Sequence, residues 1–115
     1  GYAFAYQVLG YLMFEDNKKD IDDDLIRKYD KYLWNNGYNK FWKDITDVEK
    51  NFLIALSESN GSKEDIISHN FPATNFSKYR QRLLEKGLII APKHGRLEFV
   101  LPRFQEFILL MKDFE

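Results

Sequence analysis

The sequence predicts a mainly α-helical protein with one small β-hairpin near its C-terminal end. Helix-start and helix-stop residues bracket three short segments between Thr46 and Gly87. The hydrophobic period then switches to two over residues 96–101, as a half-buried strand requires. A further non-polar stretch opens the chain.

The first helix is expected over residues 2–14. Ala3, Phe4, Ala5, Tyr6, Val8, Leu9, Tyr11, Leu12, Met13 and Phe14 leave almost no polar face. A helix that is apolar all round has to be enclosed on all sides. It is therefore expected either to be the central post of the fold or to pack against protein outside this chain. The abrupt, non-polar start favours the second. Asp20 is the expected N-cap of a second helix, with Asp22, Asp23 and Asp24 in its first turn, where the helix dipole favours negative charge. Leu25, Ile26, Tyr29, Leu33, Tyr38, Phe41 and Trp42 continue it, with a break expected near Asn35, Asn36 and Gly37.

Thr46 and Glu49 form a capping-box pattern for the next helix, whose inward face is Phe52, Leu53 and Leu56. Ser62 caps a short helix to about His69. Thr74 is the expected N-cap of a third, which stops at Gly87. Residues 88–90 read as one strand, residues 91–95 as a turn, and residues 96–101 as a second strand. Pro102 ends it, and Phe104, Phe107, Ile108 and Met111 line one face of a final helix. Three helices followed by a hairpin is the order of a winged helix-turn-helix. The organisation predicted is a helical segment over residues 1–44 and a winged-helix domain over residues 45–115.

Composition sets outer limits. The 115 residues suffice for about one small domain, and at 44% hydrophobic and 17% aromatic they can fill a core. Seventeen Lys and Arg against eighteen Asp and Glu give a net charge of −1, which excludes a uniformly basic coat. The absence of cysteine excludes a disulfide framework and a thiolate metal site. No apolar run approaches the roughly 20 residues of a membrane span and no leader is visible, so a soluble cytoplasmic chain with no membrane partner is expected.

Arg80, Arg82, Leu83, Lys86, Gly87, Leu88 and Ile89, followed by Phe99, Leu101, Pro102, Phe104, Phe107 and Ile108, resemble the C-terminal winged helix of prokaryotic AAA and STAND-type (archaeal-type) P-loop ATPases. The opening, with Gly1, Tyr2, Tyr6, Gln7, Leu9, Gly10 and Tyr11, is similar to the first lid helix of that family, except that Ala3 stands where proline is common. The resemblance covers most of the chain, although residues 16–44 contribute little. It implies an upstream ATPase core as partner, with ATP and magnesium bound there. These residues contain no P-loop and so no backbone cradle for phosphates, and no cofactor or catalytic residue is expected in them. The part implied is a non-catalytic module coupling nucleotide state to DNA contact. The alternative is a protein–protein or intramolecular docking domain without DNA binding.

The candidate site is the third helix with the hairpin. Between Thr74 and Arg96 stand Lys78, Arg80, Arg82, Lys86, Lys93 and Arg96 against the single acid Glu85. Such a patch suits phosphates, because cation contacts release condensed counterions. At helical spacing, Phe76, Tyr79 and Leu83 face inward, while Thr74, Asn75, Lys78, Gln81 and Arg82 face outward, as side chains entering a major groove of double-stranded DNA would. Gln81 and Arg82 can read base edges. Lys93, His94 and Arg96 of the hairpin complete the set, whereas Arg80 lies nearer the buried side. Glu85 shares the outward stripe and opposes phosphate. That leaves a protein partner open as the alternative, since fold alone does not assign function. Asp22, Asp23 and Asp24 are better explained by the helix start than by a metal, and His69 and His94 lack a second ligand at zinc spacing. Tyr29, Tyr32, Trp34, Tyr38, Phe41 and Trp42 are expected to pack on the first helix rather than to stack bases.

Overall fold

The computed structural model describes residues 2–15, 21–93 and 95–114. It is mainly helical, with one two-stranded antiparallel sheet. In order, α1 (Tyr2–Glu15), α2 (Asp23–Leu33), a π turn (Trp34–Tyr38) and α3 (Asn39–Asp44) precede α4 (Asp47–Glu58), α5 (Lys63–Ser68) and α6 (Ala73–Glu85). Strands β1 (Ile89–Lys93) and β2 (Arg96–Phe99) follow, and α7 (Phe104–Lys112) closes the chain.

Asp22, not Asp20, caps α2: its carboxylate accepts the Leu25 N–H at 2.8 Å, while Asp20 lies outside the described residues. The break expected at residues 35–37 is instead a π turn, and the backbone stays helical through Leu33, Tyr38 and Asn39. The wider turn has a packing reason. Four residues carry an α-helix about 40° past a full turn, so a stripe spaced by four drifts round it. One wide turn offsets that drift. Trp34, Tyr38 and Trp42 all reach the Phe107 ring, at centroid distances of 6.0, 5.7 and 6.0 Å. The aromatic set was expected to pack on α1. Its central members pack on α7 instead.

The capping box of α4 is present as predicted. The Thr46 hydroxyl accepts the Glu49 N–H at 3.2 Å, and the Glu49 carboxylate accepts the Thr46 N–H at 2.9 Å. Phe52, Leu53 and Leu56 are buried, and α4 lies against α5, α6 and α7. Ser62 caps α5 by accepting the Asp65 N–H. The start of α6 differs from expectation: Pro72 is the N-cap and Thr74 sits inside the first turn, without a capping bond. Phe71 and Phe76, on either side of that start, pack on Phe52 at 5.0 and 5.4 Å. These two contacts seat the start of α6 on α4, where a staple-like pair at N′ and N4 stands in place of a hydroxyl cap.

At its other end α6 closes in a Schellman motif. The Leu88 N–H reaches the Leu83 carbonyl and the Gly87 N–H the Leu84 carbonyl, with Gly87 at φ 74°. β1 pairs with β2 through Ile89–Phe99, Ile90–Glu98 and Lys93–Arg96, with a bulge between Ile90 and Lys93. The bulge carries β1 through residues expected to form the turn, and β2 ends two residues earlier than expected. Gly61 ties the hairpin down. Its carbonyl accepts the Leu97 N–H at 2.8 Å, and Ser62 bridges Arg96. At φ 93°, a Cβ on Gly61 would stand 2.6 Å from the Leu97 carbonyl oxygen, so only glycine fits.

The segments 1–44 and 45–115 share one core, running from Val8 to Ile108. Arg103 binds Asp30 through two bonds, Nε to Oδ1 at 2.9 Å and Nη2 to Oδ2 at 2.8 Å. The Tyr38 hydroxyl donates to the Pro102 carbonyl at 2.8 Å. By contrast, α1 is only partly covered. Val8 is buried, while Tyr6, Tyr11 and Phe14 stand open to solvent, Phe14 at 84% exposure.

Candidate nucleic-acid interface

The Schellman turn and the Gly61 tie set α6 and the hairpin side by side. On α6, Thr74, Lys78 and Gln81 are exposed and Asn75 and Arg82 half-buried, while Phe76 and Leu83 point into the core. The Tyr79 ring lies between two cations, with the Arg82 guanidinium 5.0 Å and the Lys78 ammonium 5.6 Å from its centre. Cation–π contact of this kind holds long side chains on the helix surface without neutralising them. The Gln81 amide donates to Glu85 at 3.1 Å, so in this state the amide is engaged along its own helix and its partner is the one acid of the stripe. Arg96 is exposed at the start of β2. Lys93 ends β1, and His94 lies outside the described residues.

Lys86 does not join this surface. Its ammonium lies 2.5 Å from Oε2 of Glu49, whose side chain is fully buried. Burial opposes ionisation of Glu49, but the bonds from Lys86 and Thr46 together outweigh it and hold the carboxyl below the usual glutamate range. The sequence could not show this pairing, because the two residues meet only when α6 docks on α4. Lys63 is the residue the sequence reading missed. It follows the Ser62 cap and stands beside Arg96 through the Ser62–Arg96 bridge, with its ammonium 5.5 Å from the Phe76 ring centre. The only signal in the sequence was its place one residue after a cap.

Among the described residues, Lys63, Lys78, Arg80, Arg82 and Arg96 have no carboxylate partner. Elsewhere several cations are paired, although Lys31, Lys40 and Lys43 also lack a carboxylate partner among the described residues. Arg27 and Lys28 meet Asp24, Arg103 meets Asp30 and Glu106, and Lys112 meets Glu58. The bond from Asp30 raises the Arg103 guanidinium above its ordinary value, and burial pushes the Tyr29 and Tyr38 hydroxyls up. Among the described residues there is no group of three or more histidines, cysteines or carboxylates able to hold a metal. His69 turns its Nδ1 to the Asp65 carbonyl, 2.7 Å away. No helix among these residues is long and apolar enough to cross a membrane.

Fold and surface together define a helical module with a small β-hairpin and a cationic face. Residues 35–108 match the family described as a domain of unknown function (DUF8462), and the chain belongs to that family. No curated protein and no solved structure matches the chain.

Proposed function

We propose that this chain is a non-catalytic binding module that lays α6 and the β1–β2 hairpin against double-stranded DNA. It would do so in the cytoplasm, as the lid and winged-helix region of an ATP-binding protein. One observation carries the reading: Lys63, Lys78, Arg80, Arg82 and Arg96, all without a carboxylate partner among the described residues, are gathered on α5, α6 and the hairpin, whereas Arg27, Lys28, Arg103 and Lys112 are paired. Lys78 and Arg82, each within cation–π distance of Tyr79, would meet phosphate or a base edge. Thr74, Asn75, Gln81, Lys93, His94 and Arg96 would complete the contact. ATP and magnesium would act on the upstream ATPase core suggested by the sequence resemblance.

Titration of a labelled duplex at two salt concentrations tests this. Affinity should fall steeply with salt, and Lys78→Ala or Arg82→Ala should weaken binding and lower the salt slope by about one each. An absence of binding at low salt removes the DNA reading. The second reading, docking on a protein, is favoured by the exposed Tyr6, Tyr11 and Phe14 of α1 and by Glu85 on the outward stripe. It predicts an unchanged duplex signal and association with a protein surface through α1.

A further inference from the structure

A pocket of roughly 220 Å³ opens between α6 and the hairpin, away from the outward stripe of α6. Its walls include Phe76, Ala91 and Leu97, with Gly61 and Gly95 leaving room at the rim. Among the described residues, three cations line it: Lys63 from α5, Arg80 from α6 and Arg96 from β2. No carboxylate lines it, and none of the described carboxylates pairs with these three. Their convergence is built into the fold. The Ser62–Arg96 bridge sets Lys63 and Arg96 on neighbouring strands of backbone, and the Phe76 ring that carries the Lys63 ammonium lies one turn before Arg80.

Three like charges around one small space repel one another, and an anion placed among them relieves that repulsion. A phosphate or carboxylate alone would satisfy the charges and leave the apolar wall wet. We propose that this pocket binds a small organic anion, a phosphate or carboxylate carried on an apolar body such as an aromatic ring. The charged end would take guanidinium bonds from Arg80 and Arg96, and the apolar body would lie against Phe76, Ala91 and Leu97. Arg80 thereby gains a role that the outward-facing set of α6 left unexplained. Arg96 is shared with the proposed DNA-facing set, but Lys63 and Arg80 are not, and Lys78 and Arg82 lie outside the pocket, so the two readings can be tested apart.

Phenyl phosphate and inorganic phosphate are the probes, titrated into the whole chain while backbone amide resonances are followed. Phenyl phosphate should shift the Gly61, Ala91, Gly95 and Leu97 amides saturably and bind about tenfold tighter than inorganic phosphate, because its ring leaves water. Arg80→Gln or Arg96→Gln should weaken it about tenfold through loss of a charge-assisted bond, while Lys78→Gln stays within about twofold. Ala91→Leu fills the apolar end without touching a charge, and should abolish the preference for phenyl phosphate over inorganic phosphate. The proposal fails if no saturable shift occurs at those amides or if the two probes bind equally. It also fails if Lys78→Gln weakens binding as much as Arg96→Gln, since the charge would then be acting diffusely.

Discussion

On α2 and α7 every described cation but Lys31 meets a carboxylate, whereas on α6 and the hairpin most do not. On the first, Arg103 is held by Asp30 through a forked pair of bonds, Lys112 meets Glu58, and Arg27 and Lys28 share Asp24. On the second, Lys78, Arg80, Arg82 and Arg96 have no described carboxylate partner, and Lys86 is answered by the buried Glu49. Of the pairs on the first, Arg103–Asp30 and Lys112–Glu58 tie separate elements together, while those to Asp24 stay within α2. The unpaired cations make no such bridge, and under the proposed function they meet a ligand outside the chain. A net charge of −1 conceals this division, because the sum is the same whichever cations the carboxylates find.

The largest test of the structural side is Phe107→Ala. This ring meets Trp34, Tyr38, Trp42 and Phe104, so its loss should cost about 3–5 kcal/mol in urea unfolding. A loss below about 1 kcal/mol would show that the N-terminal helices do not share a core with α7. Next comes Asp30→Ala, which leaves the half-buried Arg103 guanidinium with only its longer contact to Glu106. About 2–3 kcal/mol should be lost, moderated by the solvent that still reaches Arg103.

Glu49→Gln should cost about 1–2 kcal/mol at neutral pH, less than a fully buried pair because Lys86 remains 41% exposed. The pH dependence has a definite sign. Folding lowers the Glu49 pKa from its ordinary value of 4.5, so its stabilisation is complete above that value and is lost as pH falls through the lower folded one. The stability gap between wild type and Glu49→Gln should therefore narrow as pH falls below 4.5. A constant gap would disprove the ionised pair.

Substitutions on the binding side should leave the fold nearly untouched. Arg82→Ala is expected to change stability by less than about 0.5 kcal/mol while weakening duplex binding. A large stability loss with unchanged binding would reverse the assignment of the two surfaces. Phe14→Ser should have the smallest effect of all on unfolding, since that ring is already in solvent.

Much of this architecture could be read locally. The Thr46–Glu49 box, the Ser62 cap and the Gly87 stop each depend on bonds spanning five residues or fewer, which a linear reading can see. The starts of α2 and α6 were misplaced for two different reasons. Several aspartates compete for one cap at α2, and at α6 the staple of Phe71 and Phe76 onto Phe52 acts through a residue in another helix. The outward stripe of α6 followed from helical spacing, but the neutralised Lys86 and the contribution of Lys63 did not.

The order of residues by itself determined where helices start and stop, where the period changes to two, and which face of α6 carries polar side chains, because these depend on neighbours a few bonds away. Only the tertiary structure decided that Asp30 takes Arg103 from 73 residues away, that Glu49 takes Lys86, and that three cations gather around an apolar pocket. Charges act through space at short range, and folding alone sets which of them come within a few ångströms of one another.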